Sequence, residues 1–439
     1  MPHAGRFRTF LFSALLAMAT AAAPYSAAEA VRTVKAELPV GPGREIRIEN
    51  LAGTMTVRPG SGAAVVVTAT VHAESEELAG SIRVEQVRGP EGEPTLRVIY
   101  PLDKHSTIRY PEGGNSGSSS MSLFGVSFST STYGGRRFKV ASNRGVLLYA
   151  DVEVQVPAAG VDATFRNVVG PIRAEGISGK TRFDTDSGDV TLTRMRGDVS
   201  CDTGSGAVRV SDVNGSVSCD TGSGDCDISN VRGARILCDT GSGNVTLRAV
   251  RVTGEIVADT GSGDVLAEDV DGSLRCDTGS GGCTLTNLRG GKVSCDTGSG
   301  NVTLRSITAD EIIADTGSGE VLVKGADTAT FTADTGSGEV TFESRGIRLT
   351  RLVADTGSGD VILRLGANAS FHAIVDQGSG DLVNRYDDAQ PILEDRVLVG
   401  YRRGDGRIRI TVGTGSGSLV LEPGAAGATA ARQPKQQHH

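Results

Sequence analysis

The chain of 439 residues has no tryptophan, and aromatic residues of all kinds make up only 4%. A large aromatic-rich core is therefore not expected. Histidine is scarce as well, with six residues, which argues against histidine-based metal centres. Hydrophobic residues still reach 38%, and 60 residues are glycine. Small and β-branched side chains can drive folding if they pack closely, so the composition favours a narrow core.

The sequence also lacks an excess of positive charge, since its formal net charge is −8. Such a surface would repel a phosphate backbone, so we expect no nucleic-acid partner. Long apolar runs are missing outside the N-terminus, and no stretch approaches the roughly 20 residues that a membrane-spanning helix needs. We therefore predict no membrane span.

The N-terminal segment 1–28 has the pattern of a secretory signal peptide. Arg6 and Arg8 precede an apolar run from Phe10 to Ala19, and small residues at 26–28 resemble a cleavage site. The run has only about ten residues, too few to cross a bilayer. We expect export to the periplasm, the outer surface or the extracellular space. Loss of two arginines would change the net charge from −8 to −10.

The pentapeptide Asp-Thr-Gly-Ser-Gly recurs nine times at spacings of 18 to 21 residues. Its copies begin at Asp202, Asp220, Asp239, Asp259, Asp277, Asp296, Asp315, Asp334 and Asp355, with degenerate copies at Asp184, Asp376 and Thr414. Asp-Thr-Gly-Ser also surrounds the catalytic aspartate of aspartic proteases, where two aspartates face each other and share a proton. Nine copies at a short interval cannot each have a separate lobe, so the repeat indicates a structural role instead.

Apolar and polar residues alternate on both sides of the pentapeptide, which indicates short strands with one buried face. The inward column directly before the aspartate contains Cys201, Cys219, Cys238, Ala258, Cys276, Cys295, Ala314, Ala333 and Ala354. One unit cannot bury its apolar side alone, whereas stacked units can. We therefore predict an all-β, single-stranded parallel β-solenoid of about twelve coils, with neighbouring strands about 4.8 Å apart.

The segments outside the repeat complete the predicted domain organisation. Residues 31–102 carry strand-like runs and should form an N-terminal β cap or small β-domain, because an uncovered solenoid end would expose unpaired strand edges. Residues 103–145 are rich in glycine and serine and should form a flexible loop. The solenoid repeat domain should span 146–422, and the tail 423–439 should be disordered.

Stacked pentapeptides would place their carboxylates close together, at a cost of roughly 1 kcal/mol per neighbouring pair. We expect each carboxylate to accept hydrogen bonds from the backbone of its own bend. A calcium ladder is the alternative, because a second column adds oxygen ligands. That column contains Asp225, Asp264, Glu320, Glu339 and Asp360, interrupted by Ala207, Asn244, Gly282 and Asn301. Capping is the preferred interpretation, and no cofactor is predicted.

Seven cysteines occur, all in the repeat. Five share the inward column with alanine, and Cys226 and Cys283 share a second column with valine. Interchange with alanine or valine is typical of small apolar side chains that fill a core, so we expect buried free thiols. Disulfides between stacked neighbours are the alternative, although parallel side chains suit that bond poorly. The candidate pairs are Cys201–Cys219 and Cys276–Cys295.

Two stretches of the chain carry a family resemblance. From residue 149 the sequence reads YADVEVQVPAAGVDATFRNVVGPIRAEGISG, followed by repeated Gly-Asp/Asn-Val-Thr-Leu, and IRIENLAGTMTV lies near the N-terminus. In these motifs the chain resembles the bacterial "putative adhesin" family, a β-strand-repeat family of unknown function related to auto-transporter adhesin head domains. The resemblance covers roughly residues 45–421. It implies a β-strand-repeat fold and brings no catalytic residues.

The uniform repeat, together with this resemblance, favours an exported, non-catalytic structural or adhesive protein. Its ladders of Asp, Thr and Asn would bind a cell surface, a glycan or a protein. We predict no enzyme and assign no catalytic, cofactor-binding or metal-binding residue. The alternative is a polysaccharide-acting lyase or hydrolase, which would need an acid/base cluster with Arg or Lys where the repeat is broken.

Overall fold

The computed structural model describes residues 29–41, 45–111, 129–344 and 348–424. The predicted signal peptide and nearly all of the predicted tail lie outside these ranges. Within them the chain forms 34 strands and one short helix, α1 (Glu76–Gly80). No helix in these ranges combines the length and the hydropathy needed to cross a membrane.

The strands fall into three groups along the chain. The N-terminal group is β1 (Ala30–Pro39), β2 (Ile46–Ala52), β3 (Met55–Gly60), β4 (Ala64–Ala73), β5 (Arg83–Arg88), β6 (Pro94–Ile99), β7 (Thr107–Arg109), β8 (Ser129–Tyr133), β9 (Arg136–Ala141) and β10 (Val146–Pro157). The repeat contains β11 (Ala163–Val169), β12 (Ile172–Glu175), β13 (Thr181–Thr185), β14 (Val190–Thr193), β15 (Val199–Thr203), β16 (Val208–Asn214), β17 (Val217–Thr221), β18 (Cys226–Gly233), β19 (Ile236–Thr240), β20 (Val245–Thr260), β21 (Val265–Thr278), β22 (Cys283–Thr297), β23 (Val302–Thr316), β24 (Val321–Ala326), β25 (Thr330–Thr335), β26 (Val340–Ser344), β27 (Arg351–Thr356) and β28 (Val361–Leu365). The C-terminal group is β29 (Phe371–Gln377), β30 (Leu382–Asn384), β31 (Gln390–Glu394), β32 (Val397–Arg403), β33 (Ile408–Thr414) and β34 (Leu419–Pro423).

Strands of successive coils pair in parallel and in register, which confirms the predicted parallel β-solenoid. Asp202 lies opposite Asp220, and Cys201 lies opposite Cys219. The same register holds at every regular copy, so each sequence column forms one stripe along the rod. The solenoid has about 10 turns, slightly fewer than the predicted twelve. The degenerate copy at Asp376 lies in β29, which pairs in parallel with β33 and antiparallel with β32.

The core is a narrow channel filled by small and branched side chains from both sides of each bend. In one coil Leu274 and Cys276 point inward before the bend, and Cys283 and Leu285 point inward after it; all four are buried. A buried Leu or Val side chain contributes about 1.5–3 kcal/mol. The small residues of the cysteine and alanine column let opposite sides of the coil approach closely, which explains why so few aromatic residues are needed.

Strands from early in the chain close the N-terminal end of the rod. β2 pairs in parallel with β11, and β3 pairs in parallel with β12. The first coil in space is therefore built from residues 117 positions earlier in the sequence than those of the neighbouring coil. The antiparallel pairs β1–β4, β4–β10 and β5–β6 then complete the end. This arrangement is the β cap expected in this part of the chain, and it covers the strand edges that the first coil would otherwise expose.

The described parts of segment 103–145 contain strands rather than the predicted loop alone. β7 pairs in parallel with β9, and β8 pairs antiparallel with β9; residues 112–128 lie outside the described residues. Tyr133 and Phe138 are both buried. The Tyr133 hydroxyl donates hydrogen bonds to the carbonyls of Glu49 and Val98, which ties these strands to the cap. The surrounding glycine, serine and threonine concealed the two aromatic residues in the sequence.

The coils at the C-terminal end stack out of chain order. β33 pairs with both β27 and β29, so a strand that comes later in sequence lies between two earlier ones. β29 also pairs antiparallel with β32, which pairs with β31. The β31–β32 hairpin therefore covers the open edge of the outermost coil.

Candidate functional site

The threonine of each pentapeptide lies buried inside the bend and connects consecutive coils. Thr278 Oγ1 accepts a hydrogen bond from the N–H of Gly281 at 3.1 Å and donates one to the carbonyl of Gly263, in the preceding coil, at 2.8 Å. All nine copies make both contacts, through Thr203, Thr221, Thr240, Thr260, Thr278, Thr297, Thr316, Thr335 and Thr356. This ladder satisfies buried backbone groups that water cannot reach.

The aspartates point outward, and the expectation that they cap their own bends is wrong. In the described part of the chain, the backbone N–H of each bend is bound by threonine, and none of the nine carboxylates accepts a hydrogen bond from its own bend. Strand alternation is the reason, because it turns threonine to the same side as the inward cysteine or alanine. The aspartates stack side by side and do not face one another, unlike those of an aspartic protease.

The outward aspartates form an acidic stripe of ten residues from Asp184 to Asp355, in unbroken register. Arginines neutralise only parts of it. The ion pairs are Arg166 with Asp184 at 3.3 Å, Arg182 with Asp202 at 2.6 Å and Arg275 with Asp277 at 3.1 Å.

Burial, and after it the adjacent carboxylates, raise the pKa of four aspartates in the stripe, Asp184, Asp220, Asp259 and Asp315. For Asp315 the adjacent groups are Asp296 and Asp334. The shift means that the fold disfavours the charged form at these positions. The stripe therefore carries a cost in stability at neutral pH, because like charges are held close together.

The column after the second glycine connects each coil to the next. Asp264 Oδ1 accepts a hydrogen bond from Gly282 N at 2.8 Å, and Asn244 Oδ1 accepts one from Asp264 N at 2.9 Å. The same contact is made by Asp189, Asp225, Asn301 and Asp360. Aspartate and asparagine are interchangeable here because the contact needs only a side-chain oxygen. Three of the five acidic residues in the calcium hypothesis, Asp225, Asp264 and Asp360, thus use one carboxylate oxygen in a contact between coils.

A groove of about 1210 Å³ follows one corner of the rod, between residues 212 and 327. At this corner each coil has a residue in the left-handed conformation. In the coils where this residue is not glycine, it is Asp212, Asn230, Ala249, Asp269, Asn287 or Ser306, with φ between 53 and 57°. Aspartate and asparagine tolerate this region better than most residues. An apolar residue such as Val250 follows and points into the core, while the side chains around it line the groove.

The groove carries varied polar residues, in contrast to the uniform stripes elsewhere. Arg232 lies opposite Arg251, and Asp271 lies between Arg251 and Arg289 in the same column. All three arginines are exposed, and within the described residues they form no ion pair. The acidic side chains of the groove are those of Asp212, Asp269, Asp271 and Asp327.

Sequence analysis assigned no site residues, and it missed this groove. The available signal was the recurring Asp or Asn immediately before an inward apolar residue, as in SDVNG, SNVRG, EDVDG and TNLRG. The second glycine of each bend has a different role. A Cβ added to Gly300 would lie 2.0 Å from the carbonyl oxygen of Gly281, so close stacking of the coils requires glycine there.

The repeat matches a known family of β-strand domains. A family model described as Toastrack DUF4097 matches residues 150–273 and 270–421. No curated protein matches the chain. A solved structure described as a "putative cell adhesion protein" from Clostridium sporogenes is 7% identical, and the match covers 89% of this chain and 100% of that one with a TM-score of 0.14. At that score the structural likeness carries no weight.

Proposed function

The chain belongs to the Toastrack DUF4097 family, and we propose that it is an exported, non-catalytic adhesive rod that binds a cell-surface glycan or protein. One observation carries the proposal. Because the coils stack in register, the outward aspartate column becomes a continuous stripe of identical groups, spaced about 4.8 Å apart. Such a surface suits a repetitive ligand, since many weak contacts can add up to firm attachment.

The corner groove is where we place ligand selectivity. Arg232 and Arg251 are adjacent, exposed and without an acidic partner between them. A guanidinium binds carboxylate or sulfate groups through two parallel hydrogen bonds. The groove therefore offers an anion-binding pair, which favours a ligand bearing spaced acidic groups.

A polysaccharide-acting lyase or hydrolase is the second candidate, and the same groove motivates it. Asp269 and Asp271 lie there together with Arg251 and Arg289, where the column breaks its uniform pattern. Acidic and basic side chains in one groove are the parts that acid/base catalysis uses.

Binding of the purified mature chain to immobilised polysaccharides and to cells tests the two functions. The double variant Arg232→Gln/Arg251→Gln should weaken binding by about 10-fold or more, because a lost charged hydrogen bond amounts to about 1.5–3 kcal/mol. Arg248→Gln/Arg305→Gln is the matched control, since it removes the same charge from exposed positions that do not line the groove.

Equal binding by the wild type and the groove variant would refute the assignment of the ligand to the groove. Chain shortening of any polysaccharide would support the enzyme instead, provided that one groove substitution such as Asp271→Asn abolishes it.

A further inference from the structure

Two groups of three cysteines occur in the core at identical spacing. The groups are Cys219, Cys226, Cys238 and Cys276, Cys283, Cys295, with steps of seven and then twelve residues in both. The middle cysteine of each group belongs to the column that otherwise holds valine, and it lies beside cysteines of its own coil and of the next coil. Side chains that only fill space would not require this coincidence.

The second group brings its sulfur atoms together. The three Sγ atoms of Cys276, Cys283 and Cys295 lie within 4.8 Å of one another, and all three residues are fully buried. The Cys283 and Cys295 sulfurs are only 2.8 Å apart. Heavy atoms that merely pack together stay roughly 3.5–4.0 Å apart, whereas the covalent bond is about 2.05 Å long. This pair therefore needs only a small movement to form a bond.

The two neighbours of Cys295 differ in direction. Cys276 stacks directly beside it on the adjacent strand, so the two side chains run parallel and suit a disulfide poorly. Cys283 comes from the other side of the bend and meets Cys295 across the core. The sequence favoured buried free thiols, with the stacked pairs Cys201–Cys219 and Cys276–Cys295 as the alternative, whereas the sulfur positions favour the pair that crosses the core.

The surroundings favour a neutral bond over a metal ion. Thiolates bind soft metals well, but three thiolates around a monovalent or divalent cation leave a net negative charge. Among the residues that the structure describes, no Lys, Arg or His is buried, so nothing in the core would neutralise that charge. An uncompensated buried charge is costly, whereas a disulfide carries none.

We propose that Cys283 and Cys295 form a disulfide that links two successive coils across the core and leaves Cys276 as a free thiol. The proposal depends on the export included in the proposed function, because disulfides persist in oxidising compartments. A disulfide-bearing oxidant, either a small molecule or a protein, accepts the electrons. One cysteine thiolate attacks that disulfide and releases one oxidant thiolate; the second cysteine then attacks the mixed disulfide and releases the other. The two cysteines lose two protons and two electrons, and the oxidant becomes two thiols.

The bond must form while the chain folds. Burial raises the pKa of the Cys283 thiol well above its ordinary value, whereas at Cys295 the effect of burial is outweighed by hydrogen bonds with Cys276 and Cys283, which lower its pKa to about 5. Both sulfurs are shielded from any oxidant by the folded core, and an inaccessible cysteine reacts slowly whatever its pKa. Once formed, the bond is shielded from reductants in the same way.

Thiol counting by mass spectrometry tests the proposal. The exported full chain is denatured in iodoacetamide without reductant, and a second sample is reduced first. In the unreduced sample we expect five alkylated cysteines, because two of the seven are in the bond. In the reduced sample we expect all seven to be alkylated. Tryptic cleavage after Arg289 and Lys292 should leave one peptide linked to another, and fragmentation should place the link at Cys283 and Cys295. Refolding with oxidised glutathione should give the same link.

Variants separate the candidates. Cys283→Val should abolish the link, and Cys276→Ala should keep it; both residues already occur in these columns, so folding should survive. Cys226→Val is the matched control in the first group and should also keep the link. Seven alkylated cysteines in both samples, a link that survives Cys283→Val, or a bound metal removed by chelator would each overturn the proposal. An exported chain with seven thiols would leave the adhesive function intact, because the binding assay does not depend on the bond.

Discussion

Removal of one charge from the acidic stripe should stabilise the rod. Asp315 lies in register with Asp296 and Asp334, about 4.8 Å from each along the sheet. Two unit charges at that distance repel by about 0.9 kcal/mol in water, and physiological salt screens this to about 0.5 kcal/mol. Asp315→Asn removes two such pairs, so the free energy of unfolding should rise by about 1 kcal/mol at pH 7.

The pH dependence identifies the cause of that gain. The folded-state pKa of Asp315 is raised, so the folded chain binds the proton more tightly than the unfolded chain does. The free energy of unfolding of the wild type therefore rises as the pH falls through the pKa of Asp315 in the folded chain and then through its pKa in the unfolded chain. The advantage of Asp315→Asn should be complete at neutral pH, shrink with added salt and disappear near pH 3.

Urea denaturation of the wild type and the variant at several pH values and salt concentrations measures this difference. Asp277→Asn is the control in the same column. It loses the ion pair with Arg275 as well as the repulsion, so its gain should be smaller. An Asp315→Asn gain that persists at pH 3 would show that new hydrogen bonds of the amide are responsible, and no gain at low salt would refute the electrostatic reasoning.

Three further predictions concern the bends. Thr278→Val leaves the N–H of Gly281 and the carbonyl of Gly263 unpaired and buried, so urea denaturation should show a loss of about 2–4 kcal/mol; Thr278→Ser keeps the hydroxyl and should lose less than half as much. Gly300→Ala places a Cβ 2.0 Å from a backbone oxygen and should cost about 3 kcal/mol, whereas Gly291→Ala, with its nearest atom at 3.4 Å, should leave the thermal midpoint almost unchanged. Chelator and millimolar calcium should give the same thermal midpoint, because Asp225, Asp264 and Asp360 of the proposed calcium column each use an oxygen for a backbone hydrogen bond; a midpoint that rises with calcium would show that the column binds the ion.

The solenoid was predictable because the repeat specifies its own packing. A strand pattern of period two, a bend of small residues and an inward column of Cys or Ala leave few ways to bury the apolar side. The same alternation already implied that the threonine after the aspartate points inward with the cysteine, yet the aspartate was assigned the capping role. The error came from treating the bend as an isolated turn, although its buried side is set by the strand before it.

The order of coils at the two ends could not be predicted from periodicity. Every coil presents the same strand edge to its neighbour. The repeat pattern therefore does not determine that β33 lies between β27 and β29. That order depends on the length of the connection through the β31–β32 hairpin and on which strand edge remains open. The order at the N-terminal end is equally unpredictable from the periodicity, since β2 stacks on β11 although a long insertion separates them in the sequence.

Stacking also determines where ligand selectivity can reside. The threonine and the second glycine are identical in all nine copies, because each holds a hydrogen bond or a close backbone contact to the next coil. A position with that constraint cannot be adjusted to fit a ligand. The side chains of the groove column are not fixed by such a contact between coils. From coil to coil this column reads Asn214, Arg232, Arg251, Asp271, Arg289, Thr308 and Asp327. If the rod binds one ligand in preference to another, the differences among these side chains must account for it. Exchanging Asp271 for Arg should therefore change which ligand binds, at a cost in stability of about 2 kcal/mol, because two attractive pairs with Arg251 and Arg289 become repulsive.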